Sequence, residues 1–116
     1  MSTPRVEIDL DKIEQNTRLL VDRLATRGIS VTGVTKAVCG HPGVAQAMLA
    51  GGAVGLADAR VANVRRLRDA GLSCPILMIR APMQDEIEDA VACCDISYNT
   101  EIDTILALAA AARQQR

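Results

Sequence analysis

The 116-residue sequence has no phenylalanine, no tryptophan and a single tyrosine, Tyr98. A core without aromatic rings takes its volume from Ile, Leu, Val, Met and Ala, which suits parallel strands covered by helices. It offers no stacking surface for nucleic-acid bases. Charge of one sign is also missing: the formal net charge is -1, so there is no electrostatic footprint for nucleic acid or for an anionic membrane. No apolar run approaches the ~20 residues that span a bilayer. The opening Met1-Ser2-Thr3-Pro4-Arg5 has no apolar signal core, and the expected location is cytoplasmic. A single histidine, His41, leaves a zinc site only the combination of Cys39 and His41 with distant groups, and no metal is expected. The four cysteines show no C-x-x-C spacing, and Cys93 and Cys94, in an apolar helical stretch, read as packing residues.

What is present is an alternation of short apolar runs with helical patterns. Residues 5–9 alternate apolar and charged side chains, as a half-wetted strand does. Asp11 and Glu14 stand at capping-box spacing, and Ile13, Thr17, Leu20 and Leu24 form one stripe of an amphipathic helix ended by Gly28. Residues 29–36 are rich in β-branched side chains and read as a buried strand. His41-Pro42 then opens a helix that stops at Gly51-Gly52. A strand near 54–57, a helix from Arg60 to Ala70, a strand at 76–79, a helix from about Gln84, a strand at 95–98 and a terminal Ala/Leu-rich helix complete the chain. Thr100 and Asp103 repeat the capping spacing before that last helix. Arg65-Arg66-Leu67-Arg68 reads as the solvated side of a helix.

Strands that alternate with helices form parallel sheets with right-handed crossovers. Periodicity alone does not separate an open doubly wound sheet from part of a (β/α)8 barrel. The number of units does: four make half a barrel, and a complete one needs ~250 residues. The expected fold is therefore α/β, with residues 1–116 forming the first half of a TIM-type barrel after a short N-terminal strand and helix.

Both parallel architectures carry their sites at the C-terminal ends of the strands. Lys36 closes the second run there, in alternation with Thr32 and Val34. A desolvated lysine amine becomes a usable nucleophile or base, whereas a lysine that marks a strand's exit into solvent does nothing chemical. Arg60 and Arg80 follow later strands, where they could meet a substrate carboxylate or cofactor phosphate or serve as structural ion-pair arginines. Asn99 follows the last strand as a polar lining residue. His41, ahead of Pro42, reads as a helix cap.

Four segments carry a family resemblance. Glu7-Ile8-Asp9-Leu10 with Ile13 and Asn16 matches an opening motif, and Gly33-Val34-Thr35-Lys36-Ala37-Val38-Cys39-Gly40 matches a strand ending in a cofactor lysine. Leu56-Ala57-Asp58-Ala59-Arg60 and Met78-Ile79-Arg80-Ala81-Pro82-Met83 are similar to the ornithine-racemase branch. In order and spacing the chain resembles the N-terminal part of fold-type III pyridoxal-phosphate-dependent amino-acid racemases of the alanine/ornithine type. The resemblance implies a barrel, pyridoxal 5'-phosphate as cofactor, and Lys36 as both its Schiff-base anchor and an acid/base on one face of Cα. It also implies a small amino-acid substrate, and a second base, a pyridine-facing arginine and the main phosphate loop in later parts of such a protein. An alternative is a non-catalytic pyridoxal-phosphate-binding homeostasis protein, against which the strand at 5–9 speaks. Alanine racemases follow the lysine with A-D-A-Y-G-H-G, whereas here Gly40 stands where the phosphate-holding tyrosine would be. Association is expected, either with a C-terminal barrel half and β-domain or as a homo-oligomer.

Overall fold

The computed structural model describes residues 2–115. Helix α1 (Leu10–Ala25) is followed by four strand–helix units: β1 (Thr32–Val34) with α2 (Pro42–Ala50), β2 (Gly55–Asp58) with α3 (Val61–Asp69), β3 (Ile76–Met78) with α4 (Ile87–Cys93), and β4 (Ile96–Ser97) with α5 (Ile102–Gln114). Single 3-10 turns precede α2 at Lys36–Val38 and α4 at Gln84–Glu86. The strands pair in parallel in the order β1-β2-β3-β4, with Gly33 beside Leu56, Leu56 beside Ile76, and Leu77 beside Ile96. Every crossover thus steps in the same direction. A doubly wound sheet reverses its strand order at a switch point, and this one does not. The sheet is the first half of a barrel.

One face of the sheet makes the core. Leu56, Ile76 and Met78 point into a buried cluster with Ala45, Val61, Val64, Leu67, Ala90 and Cys93 from α2, α3 and α4. The other face runs through Val34, Ala57, Leu77 and Ile96, one register row. It is open at its edges, where Val34 is 43% exposed and Ile96 55%, while Ala57 between them is buried and Leu77 half-buried.

Four local expectations change, one of them at the last helix, whose N-cap is Glu101 rather than Thr100 and has no side-chain cap hydrogen bond. Residues 5–9 form no strand, because alternation builds a two-faced ribbon only where a neighbouring strand completes the ladder. Val6 and Ile8 instead border a hollow with Leu10, His41 and Val44. With that strand gone, it no longer speaks against a binding-only relative. The stretch 29–36 contributes three strand residues rather than a buried strand, and Thr32 and Val34 are exposed. β-branched composition favours extension, but burial needs cover on both faces, and β1 is an edge with one face open. The cap of α1 is Asp9, whose carboxylate accepts the Lys12 N–H at 3.2 Å, rather than Asp11. α1 lies so close to the end of α2 that a Cβ on Gly51 would sit 2.6 Å from the Glu14 carbonyl oxygen.

The basic run of α3 is not simply solvated. Arg65 pairs with Asp89, and the Arg66 guanidinium donates to the Cys39 carbonyl at 3.2 Å. Arg68 donates to the carbonyls of Leu72, Cys74 and Cys93 and to Asp95 Oδ2, at 2.8–2.9 Å. Asp95 Oδ2 also accepts the Ile76 N–H at 2.8 Å. One guanidinium therefore ties together the loops that enter β3 and β4, at the end of the sheet opposite Lys36. Arg68→Met keeps the stem and leaves these half-buried acceptors without their donor. It is expected to cost about 2–4 kcal/mol, read as a lowered urea unfolding midpoint.

Candidate functional site

All four residues singled out from the sequence lie just past the C-terminal ends of successive strands: Lys36 after β1, Arg60 after β2, Arg80 after β3 and Asn99 after β4. Strand direction alone delivers this, since parallel strands bring every such loop to one edge.

Lys36 is exposed and opens the 3-10 turn rather than ending the strand. Its backbone is fixed: its carbonyl accepts the Cys39 N–H at 3.2 Å, and the Thr35 carbonyl accepts the N–H of Val38 at 3.1 Å and of Gly40 at 3.0 Å. Among the described residues its side chain makes no ion pair. Thr32 and Val34 are exposed on one side of β1, and Lys36 follows them at the first position of the turn, its side chain also exposed.

What holds this turn is Asp58, fully buried at the end of β2. Its Oδ2 accepts from Thr35 Oγ1 at 2.7 Å. Its Oδ1 accepts the N–H groups of Ala59 (2.6 Å) and Arg60 (3.0 Å) and Nδ2 of Asn63 (3.0 Å). A buried carboxylate is tolerated only with its lone pairs occupied in this way. Asp58 thereby locks the residue before Lys36 to the start of α3. Sequence reasoning quoted Asp58 but gave it no role. The available signal was an aspartate two residues before the N-cap of a helix whose third residue, Asn63, carries a donor.

Arg60 and Arg80 come together on a cleft of about 370 Å3, also lined by Ala59, Val61, Ala62, Met83 and Glu86. Lys36 and Asn99 do not line it. Asn99 is half-buried. Its Nδ2 donates to the Ser97 hydroxyl at 2.9 Å and carbonyl at 3.3 Å, while Oδ1 is buried with no partner. His41 caps α2, its Nδ1 accepting the Gly43 N–H at 3.1 Å. Burial pushes the Cys94 thiol up to about 11, reinforced by Cys93 beside it, and raises Cys74 as well. Cys74 and Cys94 therefore stay protonated at neutral pH, as packing residues do. Among the described residues no three His, Cys, Asp or Glu side chains cluster as metal ligands, and no helix is long and apolar enough to cross a membrane.

Residues 8–116 match the family model described as alanine racemase, N-terminal domain. The chain belongs to that family. It is 37% identical over 91 residues to a lysine racemase of Thermotoga maritima, covering 78% of this chain and 26% of that protein. It is 31% identical over 110 residues to an ornithine racemase of Acetoanaerobium sticklandii, covering 95% of this chain and 31% of the relative. Among solved structures, alanine racemase from E. faecalis superposes with a TM-score of 0.76 at 28% identity, over 93% of this chain and 29% of that one. The chain thus spans between a quarter and a third of these relatives. The family setting also gives the departure at Gly40 a physical reason. Gly40 has φ +65°, and a Cβ there would lie 2.8 Å from the Asn63 carbonyl oxygen. As the turn is built, no tyrosine fits at this position.

Proposed function

We propose that this chain is the lysine-bearing portion of a pyridoxal 5'-phosphate-dependent amino-acid racemase, an isomerase interconverting the L and D forms of an amino acid such as alanine or ornithine. The observation that carries this reading is the placement of Lys36. It is an accessible amine on a hydrogen-bonded turn at the C-terminal end of β1, in a family whose relatives bear racemase names. These features fit covalent attachment of an aldehyde cofactor: the nucleophile is free of carboxylates while its backbone cannot wander. When bound, the cofactor's ring withdraws electrons and acidifies the Cα–H bond of an attached amino acid.

The chain's own contribution is positional. The Thr35–Asp58–Asn63 hydrogen bonds hold the Lys36 turn against α3, and Lys36 Nζ, freed from the cofactor, holds or delivers the proton on one face of Cα. Asn99, with an unused buried acceptor oxygen, is a lining residue on the same edge. Arg60 and Arg80 are the candidate contacts for substrate or cofactor oxyanions. Four unpaired cysteines suit the cytoplasm, where thiols stay reduced.

The test uses the protein expressed from its complete reading frame. It should bind the cofactor with a visible absorbance band that borohydride bleaches, and it should interconvert enantiomers in a chirally resolved assay with alanine, ornithine and lysine. Cofactor bound without interconversion of any amino acid would assign the binding-only function instead.

A further inference from the structure

We propose that the Arg60–Arg80 cleft is a subsite for a small oxyanion, a carboxylate or phosphate group, separate from the Lys36 turn. The inference rests on the reading of Arg60 and Arg80 as oxyanion contacts given above and names the ligand class they take. Two guanidinium groups from consecutive strand–helix loops face one concavity of about 370 Å3, and neither makes an ion pair or a side-chain hydrogen bond among the described residues. The contrast with the same helix is informative. One to two turns along α3, the guanidinium groups of Arg65, Arg66 and Arg68 are all committed to protein acceptors. Arg60 sits at the N-cap of α3, and its own N–H is taken by Asp58 Oδ1. Val61 and Ala62, the first two residues of α3, also line the cleft, and their N–H groups have no acceptor among the described residues. Two unspent guanidinium forks beside unspent helix N-terminal donors make a receptor suited to a planar or tetrahedral oxyanion.

Glu86 sets the limit on this receptor. It is the one carboxylate lining the cleft, and its Oε2 already accepts the Met83 N–H at 2.9 Å. It therefore leaves the two arginines in excess while opposing an incoming anion. Ala59, Val61, Ala62 and Met83 supply apolar walls, so the ligand is small, with a short hydrocarbon part beside its charge. Arg60 and Arg80 line this cleft and Lys36 does not. The anion is thus held at the rim of the site rather than on the lysine.

The experiment measures saturable binding to the protein expressed from its complete reading frame, by thermal shift and isothermal titration at constant ionic strength. Inorganic phosphate and acetate are the two probes. The stronger of the two identifies the source as a phosphoryl group or a carboxylate. Arg60→Gln and Arg80→Gln should each weaken binding at least tenfold. Glu86→Gln, which keeps the acceptor for Met83, should tighten it several-fold. Binding should persist in protein saturated with pyridoxal 5'-phosphate, whose cofactor phosphate site is filled, which distinguishes this cleft from that site. No saturable binding of either anion, binding that survives the double arginine variant, or binding weakened by Glu86→Gln in a folded protein would each overturn the proposal.

Discussion

Lys36→Ala, made in the protein expressed from its complete reading frame, is expected to abolish covalent cofactor retention and to lower racemisation by about 10^3-fold or more. Losing a positioned acid/base alone costs about 10^2- to 10^4-fold, and loss of the covalent anchor adds to it. The fold should be unaffected, because the Lys36 side chain makes no ion pair and is exposed. Borohydride reduction of the unaltered protein followed by peptide mass mapping should put the pyridoxyl group on Lys36. The only other lysine in these 116 residues is Lys12, an exposed residue in the first turn of α1. Labelling at Lys12, or retention of the cofactor by the alanine variant, would remove the basis for the site. A graded prediction accompanies it: Asp58→Asn should keep cofactor binding measurable but loosen it, because the Thr35 clasp is weakened while the lysine remains.

The second large effect concerns the 116-residue polypeptide expressed alone. It is expected to self-associate and to show no racemisation. The open face of the sheet exposes Val34, Ile96 and Tyr98, and α5 exposes Ile102 (65%) and Leu106 (59%). At ~25 cal/mol per Å2 of apolar area, a few hundred Å2 left in water forfeits about 5–10 kcal/mol, which rivals the whole stability of a small domain. β1 and β4 are also unpaired edges, each able to template another strand. Absence of turnover follows from chemistry: inversion at Cα needs a proton donor on the face opposite Lys36, and the family resemblance assigns that second base to later parts of such a protein. Sedimentation at micromolar concentration and a chiral assay on the same sample check both statements. A stable monomer, or appreciable turnover with alanine or ornithine, would refute them.

Much of this molecule was legible before any coordinates. The succession of helices and strands followed from 3.6-residue stripes and short apolar runs, and the helix bounds moved by only a few residues. His41 as a cap and Cys93 as a packing residue were equally readable, because each depends on neighbours close in sequence. Strand direction then made the position of Lys36, Arg60, Arg80 and Asn99 on one edge a consequence of connectivity. The failures have one cause. The 5–9 ribbon, the supposed burial of β1 and the solvated reading of Arg68 all turn on what lies opposite a residue, and that partner is distant in the chain.

The sequence by itself determined the parallel α/β class, the family and a lysine close behind a strand, because periodicity, turn chemistry and motif order are local properties. The half-barrel, already indicated by unit count and family resemblance, is borne out by the unbroken strand order. Tertiary structure alone decided the rest. The Asp58 clasp on Thr35 spans 23 residues, and the Arg68 brace reaches 27 residues to Asp95. The meeting of Arg60 with Arg80 joins two separate loops. Hydrogen bonds and charge pairs of this kind form only after hydrophobic burial has set the sheet and helices in place, so no spacing along the chain announces them.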